Sequence, residues 1–158
     1  GMSPSITIAL LPPVPGEDWP RREVAAEMAA YNHRVRIVPD LGESTVDGDL
    51  DLAGAWVAHC ALELATDPGR PPVLLVAHGT AGRMLAALGF AQRASRRRVV
   101  GYVIVEGELP RQGVQDWPDA PVTYIGEQEG HLADLRGWDV LPADDLAGRL
   151  RAVAADCF

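Results

Sequence analysis

Six short apolar segments, separated by helical patterns, restrict the fold of this sequence more than any other feature. Several are continuous runs of Val, Ile and Leu, as expected for strands buried on both faces of a sheet. We predict strands at 5–11, 34–38, 73–77, 99–105, 121–125 and 138–141. We predict helices near 18–31, 50–66, 80–94, 128–136 and 143–156. This alternation predicts an α/β protein: a three-layer α/β/α sandwich around a parallel sheet of about six strands.

Length and composition fit one domain, spanning 1–158. The chain has 158 residues, of which 47% are hydrophobic and 23% charged, and it shows no internal repeat or low-complexity tract. We interpret Gly1 as the remnant of a tag before the native start, Met2. The net charge of -8 argues against nucleic acid or an anionic membrane as a partner. Without a membrane-spanning run or a leader pattern, we expect a cytoplasmic protein.

The cysteines and the basic run carry little functional signal. Cys60 and Cys157 are too few and too far apart to suggest a disulfide framework or a zinc site. We interpret Cys60 as a small core residue and predict no cofactor and no metal. The run at 96–98, three consecutive arginines, is interpreted as a solvated connection between a helix and a strand.

The stretch 73–85, VLLVAHGTAGRML, predicts a buried strand, a tight turn and a helix start. Such a turn exposes its central residue, and the residues two positions away on either side must be small. Ala77 and Ala81 meet this requirement. The central residue, Gly79, adopts the unusual backbone conformation freely but supplies no nucleophile.

In its order of features the sequence resembles the α/β-hydrolase family, in particular its small esterase- and thioesterase-like bacterial members. ITIALLPPVPGEDW is similar to the first core strand and the loop that helps form the oxyanion hole, and HRVRIVPDL to the next strand. VLLVAHGTAGRML matches the nucleophile elbow, and VVGYVIVEGELP resembles the strand after it. PVTYIGEQE resembles the strand that delivers the acid, and RGWDVLPADD the strand before the histidine loop. The resemblance implies a minimal hydrolase core, and the connection after Glu106 is too short for a lid.

The catalytic triad implied by the resemblance is incomplete. Glu127 and Glu129 follow the fifth strand, where the family acid is expected, but no histidine occurs after His131. With Gly79 at the elbow, two of the three roles are unfilled. We therefore predict a degenerate, non-catalytic member that binds a small molecule or a protein partner in its cleft, or serves in assembly. The residues expected to line that cleft are Val14, Gly16, Gly79, Thr80, Glu106 and Asp144.

Two other functions stay open. A divergent hydrolase of esters or thioesters would use Thr80, or an activated water, with His78 or His131. In the non-catalytic interpretation, Thr80 is the N-cap of the following helix and His78 is structural. A flavodoxin-like or nucleotide-binding module is the third hypothesis, although the stretch 79–82 lacks the G-x-G-x-x-G spacing and a Walker lysine.

The predicted carboxyl edge of the sheet is acidic. A solvated rim and a surface that attracts a cationic ligand or partner both explain this charge. The residues concerned are Asp40, Glu43, Asp47, Asp49, Glu106, Glu108, Glu127 and Glu129. A further hypothesis is a metal or acid–base cluster formed by Glu127, Glu129 and His131 with Asp144 or Asp145. The spacing of these residues matches no strong metal motif. The absent lid predicts exposed apolar surface near the cleft, and hence a homodimer.

Overall fold

The computed structural model describes residues 5–42 and 49–157, without the side chains at 49 and 50. Three members of the predicted acidic edge, Glu43, Asp47 and the side chain of Asp49, lie outside these residues. The strands are β1 (Thr7–Leu10), β2 (Arg34–Ile37), β3 (Val73–His78), β4 (Val99–Val105), β5 (Val122–Ile125) and β6 (Asp139–Leu141). The helices are α1 (Arg21–Ala30), α2 (Asp49–Ala65), α3 (Leu85–Ala94), α4 (Gly130–Leu135) and α5 (Leu146–Ala155), and a 3-10 helix, Gly79–Met84, joins β3 to α3.

The six strands form one parallel sheet in the order β2-β1-β3-β4-β5-β6, which confirms the predicted α/β fold. The chain passes from β1 to β2 on one side and later returns to β3 on the other side of β1. The connections that follow β1 and β3 therefore diverge at the carboxyl edge of the sheet. Such a switch point is where open α/β sheets form their ligand crevice.

Helices cover both faces of the sheet. On one face, α2 and α3 bury an apolar surface that includes Trp56, Cys60 and Leu64, which recur at four-residue spacing along α2. On the other face, α1 and α5 pack Met28 and Leu150 against the strands. Because side chains alternate along a strand, neighbouring residues of each central strand contribute to the two cores in turn. No helix in the described ranges is long and apolar enough to cross a membrane.

The connection from β4 to β5 contains no helix in the structure, although the sequence left room for a short one. The indole of Trp117 packs against the sheet instead, with 8% of the residue exposed. Its ring meets those of Tyr102 and Trp138 edge to face, with centroids 5.2 and 5.9 Å away. A loop anchored by one large aromatic side chain thus takes the place of a crossover helix.

The interpretation of the arginine run as a solvated connection is wrong for its middle member. The side chain of Arg97 is 1% exposed, and its Nη2 atom lies 2.7 Å from Oδ2 of Asp67, which is itself 4% exposed. Arg97 also donates hydrogen bonds to the carbonyl oxygens of Pro71 and Leu64, at 2.7 and 2.8 Å. A buried guanidinium needs such partners because it has lost its hydration.

Asp67 accepts two further hydrogen bonds at the amino end of the sheet. The hydroxyl of Thr7 donates to Oδ2 at 2.7 Å, and Nη2 of Arg34 donates to Oδ1 at 2.9 Å. Burial alone would raise the pKa of Asp67, but the hydrogen bonds from Arg34, Thr7 and Arg97 outweigh it and lower that pKa below its ordinary 3.8. The network ties β1, β2 and the β3 entry together at the edge opposite the elbow.

Candidate functional site

The carboxylate of Glu17 lies directly over Gly79, at the point where the elbow of an α/β hydrolase presents its nucleophile. Gly79 has a φ of +66°, in the left-handed region that glycine adopts without strain. A Cβ atom built on Gly79 would stand 2.3 Å from Oε1 of Glu17. The space into which a side chain at this position would project is therefore filled by a carboxylate from the connection that follows β1.

Two hydrogen bonds from Thr80 hold this carboxylate in place. The backbone N–H of Thr80 donates to Oε1 of Glu17 at 3.1 Å, and the Thr80 hydroxyl donates to Oε2. The expected N-cap is therefore wrong: Thr80 lies inside the 3-10 helix, whose N-cap is His78 and has no side-chain capping bond. In α/β hydrolases the N–H of the residue after the nucleophile stabilises the oxyanion. Here the equivalent N–H binds the protein's own Glu17.

A cavity of about 360 Å³ opens around this contact at the carboxyl edge of the sheet. Its lining residues are Glu17, Asp18, His78, Gly79, Thr80, Glu106, Gly107, Glu108 and Gln128. Four of these side chains are carboxylates and none is Arg or Lys. Such a lining is unfavourable for a phosphate group, which weakens the nucleotide-binding hypothesis, and favourable for a cation.

His78 is held by an aromatic contact and not by an acid. Its ring stacks on that of Trp19, with centroids 5.3 Å apart and planes 7° from parallel. Burial lowers the pKa of His78 below its ordinary 6.5, although the negative charges of Glu17 and Glu106 oppose this shift. Its Nδ1 atom is buried and has no hydrogen-bond partner among the described residues. Burial thus favours the neutral imidazole, and among the described residues no carboxylate is hydrogen-bonded to the ring as the acid of a triad would be.

The turn after β4 packs directly on the elbow. A Cβ atom on Gly107 would lie 2.3 Å from the carbonyl oxygen of Gly79, and the N–H of Glu108 donates to that same oxygen at 3.1 Å. Glu106 directs its carboxylate over Gly126 and accepts a hydrogen bond from the N–H of Glu127 at 3.0 Å. The Glu106 side chain thus holds the connection after β5, while the backbone beside it supports the elbow.

The residues predicted to supply an acid or a base do not converge on the elbow. Glu127 and His131 are exposed, and His131 lies on α4. Glu129 is half-buried, and its N–H donates to the Tyr124 hydroxyl at 2.9 Å. The residue of this segment that lines the cavity is Gln128. Within 5–42 and 49–157, no group of three or more His, Cys, Asp or Glu side chains is placed to hold a metal ion.

Of the six residues expected in the cleft, Gly79, Thr80 and Glu106 line the cavity. Val14 is buried in the core, with 6% of the residue exposed. Gly16 is exposed in a turn with a φ of +91°. Asp144 lies on the surface and pairs with Arg149 at 3.1 Å. Val14 and Gly16 contribute indirectly, because they shape the turn that presents Glu17.

No family model and no curated protein matches the sequence. Among solved structures, it is similar to the crystal structure of a protein from Xanthomonas campestris pv. campestris, provisionally described as a hydrolase of the α/β superfamily. The likeness covers 97% of this chain and 95% of the other, with a TM-score of 0.54 and 16% sequence identity. The chain has the fold of an α/β hydrolase.

The sequence interpretation missed Glu17, which sets the geometry of this site. Glu17 follows the turn-forming stretch 12–16, PPVPG, in the connection after the first strand. In an α/β hydrolase fold this connection reaches the elbow, so an acidic residue placed directly after the turn was the available signal. Trp19, whose indole N–H donates to the carbonyl oxygen of Leu11 at 3.1 Å, fixes the far end of the same connection.

Proposed function

We propose that this chain is a non-catalytic protein of the α/β-hydrolase fold. The observation that carries the proposal is the carboxylate of Glu17 over Gly79, bound by the N–H of Thr80. Acyl transfer at an elbow needs a nucleophile at the centre of the turn and an N–H free to stabilise the oxyanion. One carboxylate occupies both positions, and its negative charge repels a developing oxyanion.

The histidines support the same conclusion. His78 borders the cavity, but its ring stacks on Trp19, and no acid in the described part of the chain is hydrogen-bonded to it. His131 is exposed on α4, outside the set of residues that line the cavity. General-base catalysis requires a base within hydrogen-bond reach of the group that it deprotonates. Neither side chain is placed to activate the Thr80 hydroxyl, which donates to Glu17 instead.

The role that remains for the cleft is binding. A cavity of about 360 Å³ is of the size that holds a small ligand or one side chain of a partner protein. Its carboxylates Asp18, Glu106 and Glu108, together with Glu17, favour a cationic ligand or a basic partner by electrostatic attraction. We propose this class of ligand on the basis of the charge of the lining.

Ester and thioester turnover tests the proposal. We expect the wild-type chain to hydrolyse a panel of p-nitrophenyl esters and acyl-thioesters no faster than buffer. Thr80→Ala is the decisive variant, since Thr80 carries the hydroxyl nearest to the centre of the elbow. Turnover well above background that disappears in Thr80→Ala would overturn the proposal.

One contact favours the second candidate, a divergent hydrolase. The Thr80 hydroxyl donates to a carboxylate, which is the arrangement of a nucleophile with an adjacent base. If that pair were catalytic, Glu17→Gln would remove the same turnover as Thr80→Ala, and His131→Ala would leave it unchanged. Equal loss in the first two variants would therefore support this second candidate.

A further inference from the structure

A second cavity, of about 330 Å³, lies between the connection that follows β4 and the segment that runs from α4 to β6. Its lining includes Arg111, Trp117, Leu135, Arg136 and Trp138, and we call it the basic cavity. Two of its lining side chains are guanidinium groups and none is a carboxylate, the reverse of the cavity at the elbow. In a chain with a net charge of -8, this lining stands out locally and favours an anion.

Arg136 is fixed at the basic cavity by two contacts within the chain. Its Nη1 atom donates to the carbonyl oxygen of Pro110 at 2.7 Å, and its guanidinium carbon lies 5.1 Å from the centre of the Trp138 ring. A guanidinium carries five N–H donors, so this one bond leaves others for a ligand. A planar guanidinium that is already held in place binds a carboxylate through two parallel hydrogen bonds with little further loss of entropy.

Arg111 brings the second positive charge. It is exposed, and no hydrogen bond or ion pair engages its side chain within 5–42 and 49–157. Asp119, an acid of the same connection, has other partners: its carboxylate accepts a hydrogen bond from the Tyr102 hydroxyl at 2.7 Å and pairs with Arg93 at 3.1 Å. The charge of Arg111 is therefore available to a ligand.

The apolar part of the basic cavity is aromatic and held by packing. Trp117 has 8% of the residue exposed, and its ring meets that of Trp138 edge to face, with centroids 5.9 Å apart. The N–H of Trp138 donates to the carbonyl oxygen of Ala133 at 3.1 Å, which ties this residue to α4. Leu135, 68% exposed, adds an aliphatic side chain. Apolar surface beside two guanidinium groups suits a ligand with an apolar body and a negative charge.

We propose that the basic cavity binds a small organic acid, in which a carboxylate is attached to an apolar body. The carboxylate pairs with Arg136 and Arg111, and the body packs against Trp138 and Leu135. An inorganic anion would leave this apolar surface unused. Neither the elbow nor Glu17 takes part, so the site goes beyond the proposed function and does not depend on it.

Phenylacetate serves as the probe, and nuclear magnetic resonance spectra of the full chain give the readout. We expect the indole N–H signal of Trp138 to shift with a dissociation constant of the order of millimolar, as for a ligand of about ten heavy atoms. Trp56, whose indole is buried in the core and donates to the carbonyl oxygen of Pro12, is the internal reference and should not shift. Phenylacetamide, which lacks the charge, and acetate, which lacks the ring, should bind clearly more weakly. A Trp138 signal that does not move, or equal affinity for either analogue, would overturn the inference.

Two matched pairs of variants test the location of the site. Arg111→Gln should raise the dissociation constant of phenylacetate about two- to fivefold, as expected for the loss of an exposed ion pair. Arg22→Gln, an equal change of charge at an exposed arginine of α1 on the other face of the sheet, should leave it unchanged. Leu135→Glu places a carboxylate at the cavity and should abolish binding, whereas Leu62→Glu, at a position of α2 that is 72% exposed, should not. All four positions are exposed, so folding should persist, and circular dichroism checks this. Equal effects of the two members of either pair would overturn the inference.

Discussion

Two arginines bond to the same carboxylate of Asp67 but differ in exposure, and this difference predicts very unequal effects on stability. Arg97 lies 2.7 Å from the carboxylate with its side chain 1% exposed, and Arg34 lies 2.9 Å away with 43% exposed. We consider the matched substitutions Arg97→Met and Arg34→Met, which remove the charge and keep much of the side-chain volume.

Removal of Arg97 leaves a buried charge without its buried partner. Asp67 is 4% exposed, and the carbonyl oxygens of Leu64 and Pro71 also lose their donor. Breaking a buried pair from one side costs about 3–5 kcal/mol. Removal of Arg34 lets water replace an exposed guanidinium, so the loss should stay below about 1 kcal/mol. For a chain of this length these values correspond to melting temperatures lower by about 6–20 °C and by less than about 4 °C.

Urea unfolding followed by circular dichroism measures both free energies of unfolding by linear extrapolation. The double variant Asp67→Leu with Arg97→Met should recover part of the loss, because no buried charge is left unpaired, whereas the carbonyl oxygens of Leu64 and Pro71 still lack their donor. Similar losses in the two single variants, or a loss below about 1 kcal/mol for Arg97→Met, would refute the argument that burial decides the effect.

Three further predictions concern packing, acid and association. Gly107→Ala should lower the free energy of unfolding by about 1–3 kcal/mol, because its Cβ meets the Gly79 carbonyl at 2.3 Å. Gly54→Ala, at a position of α2 with open space around it, should raise the free energy of unfolding by up to about 1 kcal/mol. If urea unfolding gives similar changes for Gly107→Ala and Gly54→Ala, the packing argument is wrong. Folding lowers the pKa of Asp67 below its ordinary 3.8. The ionised Asp67 therefore stabilises the folded chain above pH 3.8, and this stabilisation should disappear as the pH falls through the pKa of the folded state. Asp67→Asn should flatten that acid limb of a stability–pH curve. Self-association through apolar surface near the cleft stays a prediction, and light scattering that shows a monomer at high concentration would contradict it.

The architecture could be predicted from the sequence because its signals are local. Short apolar segments, several of them continuous runs, identified all six strands, and four-residue spacing along α2 identified its buried face. Predicted ends agree with the observed ones to within about three residues, except where 3-10 geometry precedes α3. The turn at Gly79 was predicted for the same reason, since its small neighbours and its glycine are adjacent in the chain.

The site could not be predicted because its decisive contacts are distant in sequence. Glu17 and Thr80 are separated by 63 positions, and local rules gave Thr80 the N-cap role that a tertiary contact prevents. Arg97 and Asp67 are separated by 30 positions, so a run of three arginines gave no sign that its middle member is buried. In both cases a charged side chain meets its partner only after the sheet has formed.

The carboxylate over the elbow also couples the residues that are tolerated at positions 17 and 79. A serine at position 79 would place its Cβ 2.3 Å from Oε1 of Glu17, so the exposed Glu17 side chain would have to swing aside and lose its present contact. A shorter residue at 17 removes that conflict, so a side chain at the elbow is accommodated most easily when position 17 is short. Positions 17 and 79 should consequently vary together among natural relatives of this chain, with a long acidic side chain at 17 accompanied by glycine at 79.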